Sequence, residues 1–143
     1  MTIAIGCDHA GYPYKDAIKS SLQSRGDQIL DFGTDSPESV DYPDFVHPAV
    51  SSVESGEADF AVLICGSGNG VCITANKHQD IRAAICWNEE LSRLAREHND
   101  SNAVCIPARC IPEDLAVRIV TTFLESDFAG GRHARRVGKI RIC

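Results

Sequence analysis

Five short apolar runs, each too brief for a buried helix, recur along the chain with amphipathic stretches between them. Ile3–Cys7, Gln28–Phe32, Phe60–Cys65, Ala83–Cys86 and Ala103–Ile106 read as strands. Pro13–Gln23, Phe45–Ser52, Val71–Asn76, Glu89–Glu97, Pro112–Glu125 and a basic segment at about 132–139 carry helical spacing. Most of the strand runs are continuously apolar rather than alternating, so both faces of the sheet must be covered. Strands alternating with helices then predict an α/β fold: a five-stranded parallel sheet with helices on both sides. Pro112, followed by Glu113 and Asp114, places a proline and two carboxylates in the first turn of its helix.

This topology also predicts where a ligand binds. Right-handed crossovers set the first and third strands side by side at the point where strand order reverses, and ligands occupy the carboxyl ends there. The first strand ends in Gly6-Cys7-Asp8-His9-Ala10-Gly11 and the third in Cys65-Gly66-Ser67-Gly68-Asn69-Gly70. Asp8, His9 and Cys65 are therefore expected in one crevice.

The remaining totals narrow the classes. A chain of 143 residues suits one domain, expected here over 1–143, and 43% apolar with 24% charged residues is the balance of a globular protein. No run approaches the ~18 apolar residues of a membrane span. The opening Met1-Thr2-Ile3-Ala4-Ile5-Gly6 lacks the basic region of a secretory signal, so a cytoplasmic location is expected. Seven cysteines without a C-x-x-C pattern fit buried free thiols better than disulfides or a metal site; Cys7, Cys65, Cys86 and Cys105 all fall in or beside apolar runs. A net charge of −6 argues against nucleic acid as a partner. Yet Arg132 to Arg141 holds five Lys/Arg and no carboxylate, which suits a small anionic ligand.

The glycine-rich turn after Cys65 admits three chemistries. A thiol phosphatase needs arginine six residues after the cysteine, where Val71 stands. A dinucleotide fingerprint needs its third glycine at that same position, and no Walker lysine follows the loop. The third is acid–base chemistry: a helix start favours thiolate, backbone N–H groups stabilise a developing oxyanion, and Ser67 adds a hydroxyl donor. Proton abstraction beside a carbonyl needs that combination.

"GCDHAG", "DYPDF", "ICGSGNG", Thr74-Ala75-Asn76-Lys77, "REHND" and "GGRHARRV" stand in order along the whole chain. Together they resemble type B ribose-5-phosphate isomerases, in a wider family acting on galactose and allose 6-phosphates. The resemblance implies a three-layer Rossmann-like αβα fold and a cofactor-free aldose–ketose isomerase working through a cis-enediolate. It implies Cys65 as the base moving a proton between C2 and C1, and Gly66, Ser67, Gly68, Asn69 and Gly70 as the anion hole. By the same resemblance His98 opens the furanose ring, Asn99 binds substrate beside it, and Asp8 and His9 grip the sugar. Arg109, Arg132 and Arg136 would bind the anion; the last two, four residues apart, share a helix face. Position 67 is usually threonine in the family, and Ser67 keeps the hydroxyl.

His98 ends a helix expected at the sheet edge opposite Cys65, so a homodimer or dimer of dimers with shared sites is expected. Which chain supplies Arg109, Arg132 and Arg136 stays open at this level. So do two alternatives: a hexose 6-phosphate isomerase, and a non-catalytic sugar-phosphate or nucleotide-binding module. Elsewhere Trp87 reads as partial core, Tyr42 as a loop residue near the sugar, and Cys72 as buried. Lys15, Lys19, Lys77 and His78 read as surface, His133 as solvated or packing, and Asn99 as the helix terminator.

Overall fold

The computed structural model describes residues 1–142. Five strands, β1 (Thr2–Cys7), β2 (Gln28–Asp31), β3 (Phe60–Cys65), β4 (Ala83–Ile85) and β5 (Ala103–Pro107), form one parallel sheet in the order β2-β1-β3-β5-β4. Six helices connect them: α1 (Tyr12–Ser24), α2 (Pro43–Glu54), α3 (Asn69–Ala75), α4 (Glu89–Asn99), α5 (Glu113–Glu125) and α6 (Arg132–Val137). The expected three-layer architecture is present, with β1 paired to β3.

Alternation within the apolar strands sends two different side-chain sets to the two faces. Ile3, Ile5, Val62, Ile64, Val104 and Ile106 pack against Ile18 and Leu22 of α1 and Ile119 and Phe123 of α5. The small residues Ala4, Ala61 and Ala103, with Leu63 and Cys105, meet Val46 and Val50 of α2 and Val71 and Ala75 of α3. Phe123 is fully buried and meets Phe60 edge-on, ring centroids 5.8 Å apart. Burying one such ring contributes about 2–3 kcal/mol.

Several local expectations are corrected. Pro112 does not enter α5; its extended backbone makes it the N-cap, while Glu113 and Asp114 do occupy the first turn. Asn99 does not terminate α4: Asp100 does, in the left-handed region (φ 46°), with its carboxylate held by Arg96 and Arg82. Lys15 is buried rather than exposed, 3% accessible, because the loop after β2 folds back over α1. Its ammonium donates to the Thr34 carbonyl at 2.7 Å and Asp35 Oδ1 at 3.0 Å, and pairs with Asp31 at 3.2 Å. Lys19 also pairs with Asp31. His78 is half-buried between Glu54, 2.8 Å away, and His47, 2.9 Å away. Trp87 is 55% exposed, so it belongs to neither the core nor the crevice described below. Among the described residues no helix is long and apolar enough to cross a membrane.

Candidate active site

The carboxyl ends of β1 and β3 open into a crevice of about 390 Å³, lined by Asp8, His9, Ala10, Tyr42, Cys65, Gly66, Ser67, Gly70, Arg109 and Cys110. The convergence of Asp8, His9 and Cys65 expected from topology is there, because β1 and β3 are immediate neighbours in register. Cys65 closes β3 as a buried thiol, 4% exposed.

The loop after Cys65 turns back on its own sulfur. Gly68, with φ 77° in the left-handed region that favours glycine, donates its amide to Cys65 Sγ at 3.2 Å and caps α3. α3 thus begins at Asn69, two residues earlier than its apolar pattern suggests, and the Asn69 amide donates to Ser67 Oγ at 3.3 Å. A side chain at position 70 would strike the Tyr42 ring, its Cβ lying 2.6 Å from Cζ. Glycine there lets Tyr42 lie against the loop as one wall of the crevice. The β5–α5 connection is laced to the same loop: Ala108 donates to the Cys65 carbonyl at 2.8 Å and Arg109 to the Gly66 carbonyl at 3.0 Å. Arg109 therefore stands in the crevice of its own chain.

On the β1 side the two polar residues are held differently. Asp8, nearly buried, accepts the amides of Ala10 and Gly11 on one oxygen, Oδ1, at 2.9 and 3.1 Å. His9 Nδ1 accepts the Val40 amide at 3.2 Å. A neutral ring so engaged carries its proton on Nε2, leaving that nitrogen a donor. The loop between β2 and α2, anchored by buried Lys15, thus selects the tautomer of His9.

The other thiols divide by environment. Burial pushes Cys7 up to about 11 and Cys86 up to about 12, and raises fully buried Cys105 well above the ordinary thiol value. Cys72, expected buried, is only half-buried. A hydrogen bond with Cys105 lowers its pKa, and bonds from Asn76 and the Ile85 amide add to this against a desolvation cost. Cys110, which carried no sequence signal beyond following Arg109, is exposed at the crevice wall.

His98, Asn99, Arg132 and Arg136 are elsewhere. α4 returns toward the start of β5, so its last turn lies near the amino edge of the sheet, where Arg82 donates to the Asn99 carbonyl at 3.2 Å. That edge is about one strand length, roughly 16 Å, from Cys65. Asn99 lines a different groove of about 680 Å³, bounded by Ala83, Val137 and Ile140, which shares no residue with the crevice. α6 sits against the end of α4: Ala129, just before it, donates to the Glu97 carbonyl at 2.9 Å. The His133 ring stacks on His98 at 4.2 Å between centroids and 10° between planes. His133 is therefore a packing residue, and the basic helix is shorter than expected, Arg132–Val137.

Known proteins share this fold and sequence. Residues 3–140 match the model of the Ribose/Galactose Isomerase family. Ribose-5-phosphate isomerase B of Escherichia coli is 41% identical over 138 residues, 96% of this chain and 93% of that protein. The solved ribose-5-phosphate isomerase B of Clostridium thermocellum superposes with a TM-score of 0.96 at 51% identity, covering 98% of this chain and 95% of its own. That of Thermotoga maritima superposes with a TM-score of 0.95 at 48% identity, covering 98% and 97%. With nearly every residue matched and the same three-layer fold throughout, the chain belongs to the ribose/galactose isomerase family.

Proposed function

We propose that this chain is an aldose–ketose isomerase interconverting D-ribose 5-phosphate and D-ribulose 5-phosphate, with Cys65 as the base. The observation that carries the mechanism is the Gly68 amide aimed at Cys65 Sγ on the floor of the crevice. That bond fixes the sulfur where the loop opens into the crevice. The thiolate takes the C2 proton of the open-chain aldose, and the electron pair moves through C1 onto O1 to form a cis-enediolate. Gly66, Ser67, Gly68, Asn69 and Gly70 form the loop around that charge: Gly66, Ser67 and Gly70 face it with backbone N–H groups and the Ser67 hydroxyl, while the Gly68 and Asn69 amides hold Cys65 Sγ and Ser67 Oγ in place. The Cys65 thiol then returns the proton to C1 while the O2 proton passes to O1, leaving a hydroxyl at C1 and the ketone at C2.

Asp8 and His9 hold the sugar hydroxyls, His9 donating from Nε2. Arg109 meets the anion within the same chain. His98 protonates the ring oxygen as the C1–O4 bond breaks and the anomeric hydroxyl gives its proton to solvent, Asn99 binds beside it, and Arg132 and Arg136 clamp the phosphate. These four lie at the far edge of the sheet from their own Cys65, so a second copy supplies them: the protein acts as a homodimer or a dimer of dimers. Binding energy from the remote phosphate orients the reacting carbons. The same reading makes residues 1–143 one sugar-phosphate isomerase domain, cytoplasmic, cofactor-free and serving the pentose phosphate pathway.

The test is Cys65→Ala. Isomerisation falls below detection while ribose 5-phosphate still binds by calorimetry; an active alanine variant overturns the assignment. A panel of ribose 5-phosphate against allose and galactose 6-phosphates, compared by kcat/KM, tests the pentose preference.

A further inference from the structure

We propose that His133 is a positioning residue whose ring fixes the plane of His98 and couples it to the arginines of α6. The inference rests on the roles proposed above for His98, Arg132 and Arg136.

α6 is held to the rest of the chain by very little. None of its six residues is buried, and it follows Gly130 and Gly131, both at positive φ (63° and 56°). Two ties fasten its start to the end of α4. One is the Ala129 amide on the Glu97 carbonyl, and the other is the near-parallel stack of His133 on His98. His133 is flanked in its own helix by Arg132 and Arg136, the pair proposed to clamp phosphate. His98 occupies the last turn of α4 beside Glu97, whose carboxylate is taken by Arg93. A pull on either arginine therefore reaches His98 through a face-to-face ring contact, one residue from Arg132 and three from Arg136.

The charges around the stack suit such a platform. Partial desolvation and the neighbouring His98, Arg132 and Arg136 all push the His133 pKa below the ordinary histidine value. The same charges disfavour protonation of His133. Two charged rings at this separation would repel and part. Nothing in the contact asks His133 to donate or accept a proton, which makes it a positioning rather than a catalytic residue.

Substrate chemistry supplies a readout specific to this role. Ribose 5-phosphate is mostly a furanose and must be opened. Ribulose 5-phosphate has its C5 oxygen blocked by phosphate, cannot close a furanose on C2, and enters as the open chain. A defect confined to His98 orientation therefore slows the aldose direction more than the ketose direction. General misfolding slows both.

The experiment measures initial rates in both directions for the wild type, His98→Ala, His133→Ala and His133→Phe, with melting temperatures as folding controls. His133→Ala is expected to lose about tenfold in kcat from ribose 5-phosphate and less than about twofold from ribulose 5-phosphate, as a misplaced catalytic group does. His133→Phe keeps the stack without ring nitrogens and is expected to recover most of the loss. Equal losses in both directions, or a phenylalanine variant no better than alanine, would overturn the inference. If His98→Ala shows the directional split and His133→Ala does not, the positioning role falls while the proposed function stands. A wild-type protein without isomerase activity overturns both.

Discussion

The Gly68 amide lies 3.2 Å from Cys65 Sγ, three residues back along the same loop. That contact exists only because Gly68 takes a left-handed conformation (φ 77°) that L side chains rarely adopt. An added Cβ would also come within 3.2 Å of Ile85 Cγ2 on the edge strand. Gly68→Ala is therefore expected to cost about 1–2 kcal/mol of stability. Its kcat should fall at least about tenfold as the amide turns off the sulfur. Thermal melts and steady-state kinetics check both, and an alanine variant of wild-type kcat would refute the role given to this bond.

The proposed sharing of sites between two copies makes a prediction about mixed assemblies. Cys65→Ala and His98→Ala proteins, each expected to be inactive alone toward ribose 5-phosphate, are unfolded together, refolded as a mixture and assayed with that sugar. Half of randomly paired dimers are mixed, and each of these holds one intact site, so activity should return to about a quarter of wild type. No recovery in dimers shown to be mixed by mass would mean that each chain works with its own His98.

Stability should fall with acidification, through particular carboxylates. Burial works against the charged form of Asp31, yet hydrogen bonds from Lys19, the Gly33 amide and Lys15 outweigh it and lower its pKa. Asp27 is lowered likewise by Arg25 and the N-terminus against its own desolvation, and Glu54 chiefly by His78. A depressed folded-state pKa adds stability that is fully present above the unfolded value, about 4, and is lost as pH falls through the folded value. Urea midpoints should decline from about pH 5 downward. In Asp31→Asn that slope should be shallower; an unchanged slope would remove Asp31 from the account.

Thiol reactivity should sort by environment. Among the described cysteines other than Cys65, iodoacetamide under native conditions is expected to label exposed Cys110 first and Cys72 next, and to leave Cys7, Cys86 and Cys105 untouched. Mass spectrometry of tryptic peptides reads the order. Ribose 5-phosphate should slow labelling of Cys110, which shares the crevice wall with Arg109 and Ser67; equal rates with and without sugar would place the ligand elsewhere.

Much of this was legible in the residues alone. Continuous apolar runs such as Phe60–Cys65 can only be strands covered on both faces, and parallel strands need right-handed crossovers. From those two constraints β1 lies beside β3, and Asp8, His9 and Cys65 meet in one crevice. The position of α4 between β4 and β5 likewise put His98 on the wrong edge for its own thiol. These are local periodicities plus chirality, which a chain carries in its order of residues.

What the order of residues did not reveal depends on which distant segments touch. Lys15 has the look of a solvated lysine until the loop through Thr34 and Asp35 folds over it. The Val40 amide chooses the tautomer of His9 across 31 positions, and Tyr42 reaches Gly70 across a helix and a strand. His133 meets His98 only because two glycines let α6 turn onto the end of α4. Strand and helix follow from hydrophobic period, which is local. The partner that a polar side chain meets is set by three-dimensional packing, and in this protein those partners shape the site.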